Sequence, residues 1–197
     1  MPKGIPRTQE ELEERRREIA TAAADLIFEK GFNETSVNQI AKAAGIGKST
    51  LYDFFPTKDE IILYLMVEFI TELTRRAKAI IASEGSVADR LYRVMCMHLD
   101  ILLQDKALIL KLSFEAQRLS IENQQRYQVM RYAYQDLITE LVDEGIADGS
   151  FRPIDPVIVM KTLLSTMSSA VFTTRPAGTP QEMLDKALDM ILKGIER

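Results

Sequence analysis

Lys48, Ser49, Thr50 and Tyr52 lie within five consecutive positions, and Lys58 follows one short turn later. An ammonium, two hydroxyls and a phenol are the usual side-chain donors to phosphate oxygens. On a short helix over Lys48–Phe55, Leu51, Phe54 and Phe55 anchor inward. Lys48, Ser49, Thr50, Tyr52 and Asp53 then face out. Lys48 and Ser49 sit at the amino end, where free backbone N–H groups favour an anion and where base edges are read. Thr50 and Tyr52 are placed to hold the nucleic-acid backbone, and Lys58 to clamp a neighbouring phosphate.

The surrounding stretch, SVNQIAKAAGIGKSTLYDFFPTK from Ser36 to Lys58, supplies the elements for this placement. Ser36 and Gln39 form a capping box that starts one helix. Ile40, Ala43 and Ala44 share its apolar face, and the small Ala41 lets a second helix cross closely. Gly45 ends the helix, because glycine takes the left-handed conformation cheaply. Ile46 fills the bend. Pro56 stops the second helix, and Thr57 with Glu60 launches the next. Two short helices around a glycine turn make a helix-turn-helix, whose second member enters the major groove. On spacing alone, a plain αα-corner with solvated polar side chains remains the alternative.

From Thr35 to Glu60, TSVNQIAKAAGIGKSTLYDFFPTKDE resembles the DNA-binding domain of the TetR family of transcriptional repressors. Upstream, IATAAADLIFEKGF (Ile19 to Phe32) is similar to that family's first helix. Together they cover about the first third of the chain. Position by position, the resemblance implies that Ser36, Lys48, Thr50, Tyr52 and Lys58 touch DNA. Two positions depart from the family pattern. Gly47 stands where a serine or threonine often caps the recognition helix. Asp53 stands where a histidine is common, so it either reads a cytosine amino group or points away.

Composition bounds the rest. The chain has 197 residues, a formal charge of −4 and 46% hydrophobic residues, enough for a sizeable core in one or two domains. Single copies of cysteine (Cys96) and histidine (His98) predict no intramolecular disulfide, no paired-cysteine metal motif and no histidine-based zinc site, and no metal or cofactor is expected. No stretch approaches the roughly 18 apolar residues of a membrane span, and no apolar core follows the basic N-terminus as in a signal peptide, so a cytoplasmic location is expected. The slightly acidic balance runs mildly against DNA binding. Lys3, Arg7, Arg15–Arg17, Lys42, Lys48 and Lys58 supply local positive charge, and Glu10, Glu11, Glu13 and Glu14 offset much of it. A modest number of phosphate contacts is expected.

Periodicity predicts an all-α chain of about nine helices: an N-terminal three-helix helix-turn-helix domain over 1–57, a connecting helix over 58–82, and a C-terminal helical bundle over 83–197 for ligand binding and dimerisation. Residues 1–7 read as an arm. Thr8 and Glu11 cap helix 1, which buries Ile19, Ala23, Leu26 and Ile27 and closes at Gly31. Helix 4 carries Ile61, Ile62, Leu65, Met66, Phe69, Ile70 and Leu73, and its length makes it the natural lever between domains. Ser86 and Asp89 cap helix 5, with Leu91, Val94, Met95, His98 and Leu102 on one face. Asp105 is expected to cap helix 6, whose KALILKLSF is apolar almost all round and predicts deep burial. Helix 7 spans about Ile121–Ala147 and ends near Gly149. Asp155–Pro156 opens helix 8, running to about Thr174. Thr179, Pro180 and Glu182 open helix 9.

The resemblance implies a ligand pocket in the bundle and a homodimer through the last two helices. Met95, His98, Phe114, Tyr127, Met130, Tyr134 and Met167 are the candidate pocket residues, since methionine and aromatics adapt to apolar ligands. A methionine or tyrosine at helical spacing is more often plain core. Wide apolar stripes and small residues (Ser165, Ser168, Ser169, Ala170) on the last helices suit close pairing into a four-helix bundle. The leading reading is a ligand-responsive transcriptional regulator, a repressor released from a palindromic double-stranded operator by a small, largely apolar effector. An enzyme using His98 with Glu115 or Asp100, and a dimeric adaptor for protein partners, are the alternatives.

Overall fold

The computed structural model describes residues 8–104 and 106–195; the arm at 1–7 and the cap expected of Asp105 lie outside the described residues. Among the described residues the chain forms nine α-helices and one 3-10 turn, with no strand. None of these helices is long and apolar enough to cross a membrane. The helices fall into two compact units.

The first unit comprises the described residues through Glu68, together with Lys111–Tyr127. It holds α1 (Gln9–Lys30), α2 (Val37–Ala43), α3 (Lys48–Phe54) and the start of α4 (Lys58–Ile81). Thr8 caps α1 through a full capping box, its N–H donating to Glu11 Oε2 at 2.8 Å. Ile19, Ala20, Ala23, Ala24 and Ile27 form the buried face of α1. The box at Ser36 is also complete. The end of α2 is a Schellman motif: the Gly45 N–H donates to the Lys42 carbonyl at 3.2 Å and the Ile46 N–H to the Ala41 carbonyl at 2.9 Å. Gly45 sits at φ 65°, the conformation this motif requires of its glycine. Ile40, Ala41, Leu51 and Phe55 are buried beneath it. Phe55 leaves the helix in an extended conformation ahead of Pro56, as a residue before proline prefers.

The second unit comprises Phe69–Leu110 and the described residues from Gln128 on. Here α5 (Val87–Gln104), α8 (Pro156–Phe172) and α9 (Pro180–Ile195) pack on one another, and α7 (Ile121–Ala147) continues from the first unit. The expected face of α5 is buried throughout, from Leu91 to Leu102. Asp155 caps α8 by accepting the Val157 N–H at 2.9 Å, with Pro156 in the first turn. Glu182 and Thr179 close a capping box on α9. Phe151, folding back after α7, lies over Gly145, where an added Cβ would sit 2.4 Å from the ring.

The burial expected of helix 6 is not found. The helix α6 (Lys106–Glu115) is not deeply buried: only Ile109 and Leu112 turn inward, while Leu110 and Phe114 are exposed. An apolar run all round a helix does not say how many sides will be covered, and here one side is.

Candidate nucleic-acid interface

The α2–α3 pair leaves several of the candidate side chains exposed. Gly47 is the N-cap of α3 and offers no side-chain bond, so the first N–H groups of that helix keep their donor capacity. Lys48 and Ser49 are exposed at this end, Thr50 is half-buried, and Tyr52 and Asp53 are exposed. The Lys48 ammonium lies 5.9 Å from the Tyr52 ring centroid, one helical turn away, within cation–π range. Ser36 is exposed at the start of α2, but its hydroxyl is engaged: it donates to Gln39 Oε1 at 2.9 Å and accepts the Gln39 N–H at 3.3 Å. One lone pair is left for an outside donor.

Lys58 has another task than the expected clamp. Its ammonium donates to the carbonyls of Phe32 and Thr35, the latter at 3.0 Å, and stands 4.1 Å from the Phe32 ring centroid. It thus ties the first turn of α4 to the α1–α2 connection.

The arginine run in α1 is likewise absorbed by scaffolding that sequence reasoning missed. Arg15 donates to the Ala44 carbonyl at 3.2 Å and so serves the carboxyl end of α2. The Arg16 guanidinium lies 5.1 Å from both the Phe55 and Tyr64 rings, which meet edge to face at 5.6 Å. That stack joins α1, the residue ending α3 and the second turn of α4. Arg17 donates to Glu68 at 2.7 Å, and Glu68 raises its already high pKa. Burial raises the Tyr64 phenol. These partners are far along the chain from their arginines (Arg15 to Ala44 is 29 positions, Arg17 to Glu68 is 51), and no local pattern announces them.

The ligand candidates divide. Met95, His98, Tyr134 and Met167 are buried in the second unit, and Met130 is half-buried there. His98 Nδ1 and the Tyr134 hydroxyl share a hydrogen bond at 3.0 Å, with the rings edge to face. Burial pushes the imidazole down to about 4 and raises the phenol. Tyr127 belongs to the first unit and is half-buried. Phe114 is a correction: it too belongs to the first unit and is 68% exposed, so it lines no interior cavity. With Leu112 turned inward, a residue two positions on, about 200° round the helix, must face out. The acid–base pairing weighed for His98 is not formed: its partner is Tyr134, Glu115 pairs with Arg118 at 3.3 Å, and Asp100 is exposed.

Two family models match the chain. The family model described as "Bacterial regulatory proteins, tetR family" matches residues 19–65. A second, "Tetracyclin repressor-like, C-terminal domain", matches residues 84–195. The HTH-type transcriptional repressor KstR2 of Mycobacterium tuberculosis is 29% identical over 197 residues, covering 98% of both chains. The fatty acid metabolism regulator protein of Bacillus subtilis is 25% identical over 157 residues, covering 79% of this chain and 81% of its own. Among solved structures, the transcriptional regulator PfmR of Thermus thermophilus superposes with a TM-score of 0.75 at 26% identity, over 91% of this chain and 99% of that one.

Proposed function

Because the chain belongs to the TetR family of bacterial regulatory proteins, we propose that it is a dimeric, cytoplasmic repressor that reads a palindromic operator with α3 and is released by a small, largely apolar effector. The observation that carries the DNA-binding part is the amino end of α3: no side chain caps it, and Lys48, Ser49 and Tyr52 stand exposed around it. In this reading the backbone N–H groups and Lys48 meet phosphate and base edges, while Thr50 and Tyr52 hold the flanking backbone. Ser36, whose hydroxyl proton is committed to Gln39, adds one further contact by accepting from a base amino group. Lys58 acts indirectly, by fixing α4. Two-fold symmetry places paired α3 helices about one DNA turn apart, roughly 34 Å or somewhat more.

For the effector, the buried Met95, His98, Tyr134 and Met167 support an apolar ligand with one polar anchor. The fatty acid metabolism regulator among the relatives favours a long acyl chain as that ligand. Such a ligand shifts the protein only by its differential affinity for the DNA-competent and released states. Through α4, which begins beside α3 and ends in the ligand-binding unit, that preference reaches the DNA-reading helices.

The test is selection of an operator from random duplexes by the wild-type protein, followed by titration of variants. A Lys48→Ala, Tyr52→Ala double variant is expected to bind the selected duplex at least about tenfold more weakly, with a salt slope shallower by about one per protomer. Oleoyl-CoA is expected to release the wild-type complex. Wild-type affinity in the double variant would show that this surface is not the interface.

A further inference from the structure

The capping boxes on α1, α2 and α9 can be read from short sequence windows, but the one on α7 cannot, because it is closed from another helix. Ser120 is the N-cap, and its Oγ accepts the Asn123 N–H at 3.3 Å. In an ordinary box the third residue of the helix answers by accepting the N-cap N–H. Glu11, Gln39 and Glu182 do so in α1, α2 and α9. In α7 that position is Asn123, 5% exposed, whose Oδ1 instead accepts from Arg126 at 2.9 Å. The Ser120 N–H goes to Asp59 Oδ2 at 2.9 Å, 61 residues away in the first turn of α4. Next to Asp59, Glu60 accepts from Arg126 Nη1 at 2.7 Å. Lys111 adds a tie to α1, its ammonium 5.1 Å from the Phe28 ring centroid. All of these residues lie in the first unit, with α3.

We propose that Asp59 and Arg126 are positioning residues for operator binding: they hold the first turn of α4 against the start of α7 and so fix how α3 is presented to DNA. Only Phe55, Pro56 and Thr57 separate α3 from α4, so a turn of α4 that rocks carries α3 with it. The first turn of α4 is held from two directions: Lys58 fastens it to the α1–α2 connection, and Asp59 with Glu60 fastens it to α7. Since α7 runs on to Ala147 in the other unit, the clamp also gives changes there a path to α3 besides α4 itself. This inference rests on the DNA-binding reading above.

Electrostatics alone predicts the opposite sign for one of the variants, which makes the test sharp. Removing an acid next to a DNA-reading helix lowers repulsion and tightens binding. The clamp requires that Asp59→Leu weaken binding to the selected operator, by about five- to tenfold for a lost cap, while binding to a scrambled duplex of equal length holds or tightens. Asp59→Asn keeps an acceptor oxygen for the Ser120 N–H and is expected to stay within about threefold of wild type. Glu60→Arg and Arg126→Glu are each expected to lower the ratio of operator to scrambled affinity, and the double swap to restore it. Rescue of that ratio separates positioning from mere loss of stability and decides the matter should Asp59→Leu not fold. Operator binding by Asp59→Leu at or above wild-type strength overturns the clamp, as does a swapped pair that restores nothing. A wild-type protein that selects no duplex overturns the DNA-binding reading and the clamp with it.

Discussion

His98 shows what one residue can reveal about the second unit. Its ring is buried, its polar partner is a single phenol, and burial holds its pKa near 4. In the unfolded chain the same imidazole titrates at about 6.5. Between those values the unfolded state binds more protons than the folded one, so stability must rise with pH across that window and fall as pH drops through it. The contribution approaches about 1.4 kcal/mol per pH unit at its steepest. Urea unfolding of wild type and His98→Phe from pH 7 to pH 4 should therefore give stability curves whose difference slopes over this range, carboxylate effects being common to both. Parallel curves would mean that the imidazole is hydrated. The sequence placed His98 on one face of helix 5 and offered both His98 and Tyr134 as candidate pocket residues. That the two meet is a matter of how α5 packs on α7, 36 positions apart, which no helical periodicity encodes.

At the scale of the element, legibility tracks distance along the chain. The boxes at Thr8, Ser36 and Thr179 and the Asp155–Pro156 start each close within four residues, and each was readable from the sequence. Observed helix ends depart from the expected ones by one or two residues, the ordinary fraying margin. What stayed hidden needed a partner from elsewhere: the uses of Arg15–Arg17, the covered side of α6, the Asp59–Ser120 bond, and Phe151 on Gly145. Two glycines separate the local from the distant cause. At Gly45 an added Cβ meets nothing within 4 Å, so Gly45→Ala is strained only by its φ of 65° and should cost about 1–2 kcal/mol. Gly45→Asn should cost less, since asparagine visits that conformation. At Gly145 the helix conformation suits alanine, but the Cβ would meet the Phe151 ring, so Gly145→Ala should cost about 1–3 kcal/mol by overpacking. Thermal unfolding of the three variants checks both arguments. A Gly145→Ala protein more stable than wild type would mean that the ring moves aside freely.

For the molecule as a whole, the formal charge of −4 looks unsuited to DNA, yet net charge describes the chain and not the surface that α2 and α3 offer. Among the described residues of the first unit, Arg15 and Arg17 are paired with Glu18 and Glu68, which lowers the positive charge left to meet phosphate; in the proposed repressor, operator affinity then depends on engaging two half-sites at once. That places the weight on dimerisation. In the single chain, α8 leaves Ile158 54% exposed and α9 leaves Met190 70% exposed. Along the same helix, the Thr162 hydroxyl donates to the Ile158 carbonyl and the Thr166 hydroxyl to the Thr162 carbonyl, so these polar atoms are satisfied within α8 and leave a low surface for another helix. An Ile158→Glu, Met190→Glu double variant should fold, because both sites face solvent in the chain alone. Sedimentation at micromolar concentration should find it monomeric, and wild type dimeric as the proposed function requires. Its affinity for a full palindrome should fall to near that for a half-site, a loss of about a hundredfold or more when avidity is removed. A variant that stays dimeric, or that holds the full site as tightly as wild type, would place the two-fold contact somewhere other than α8 and α9.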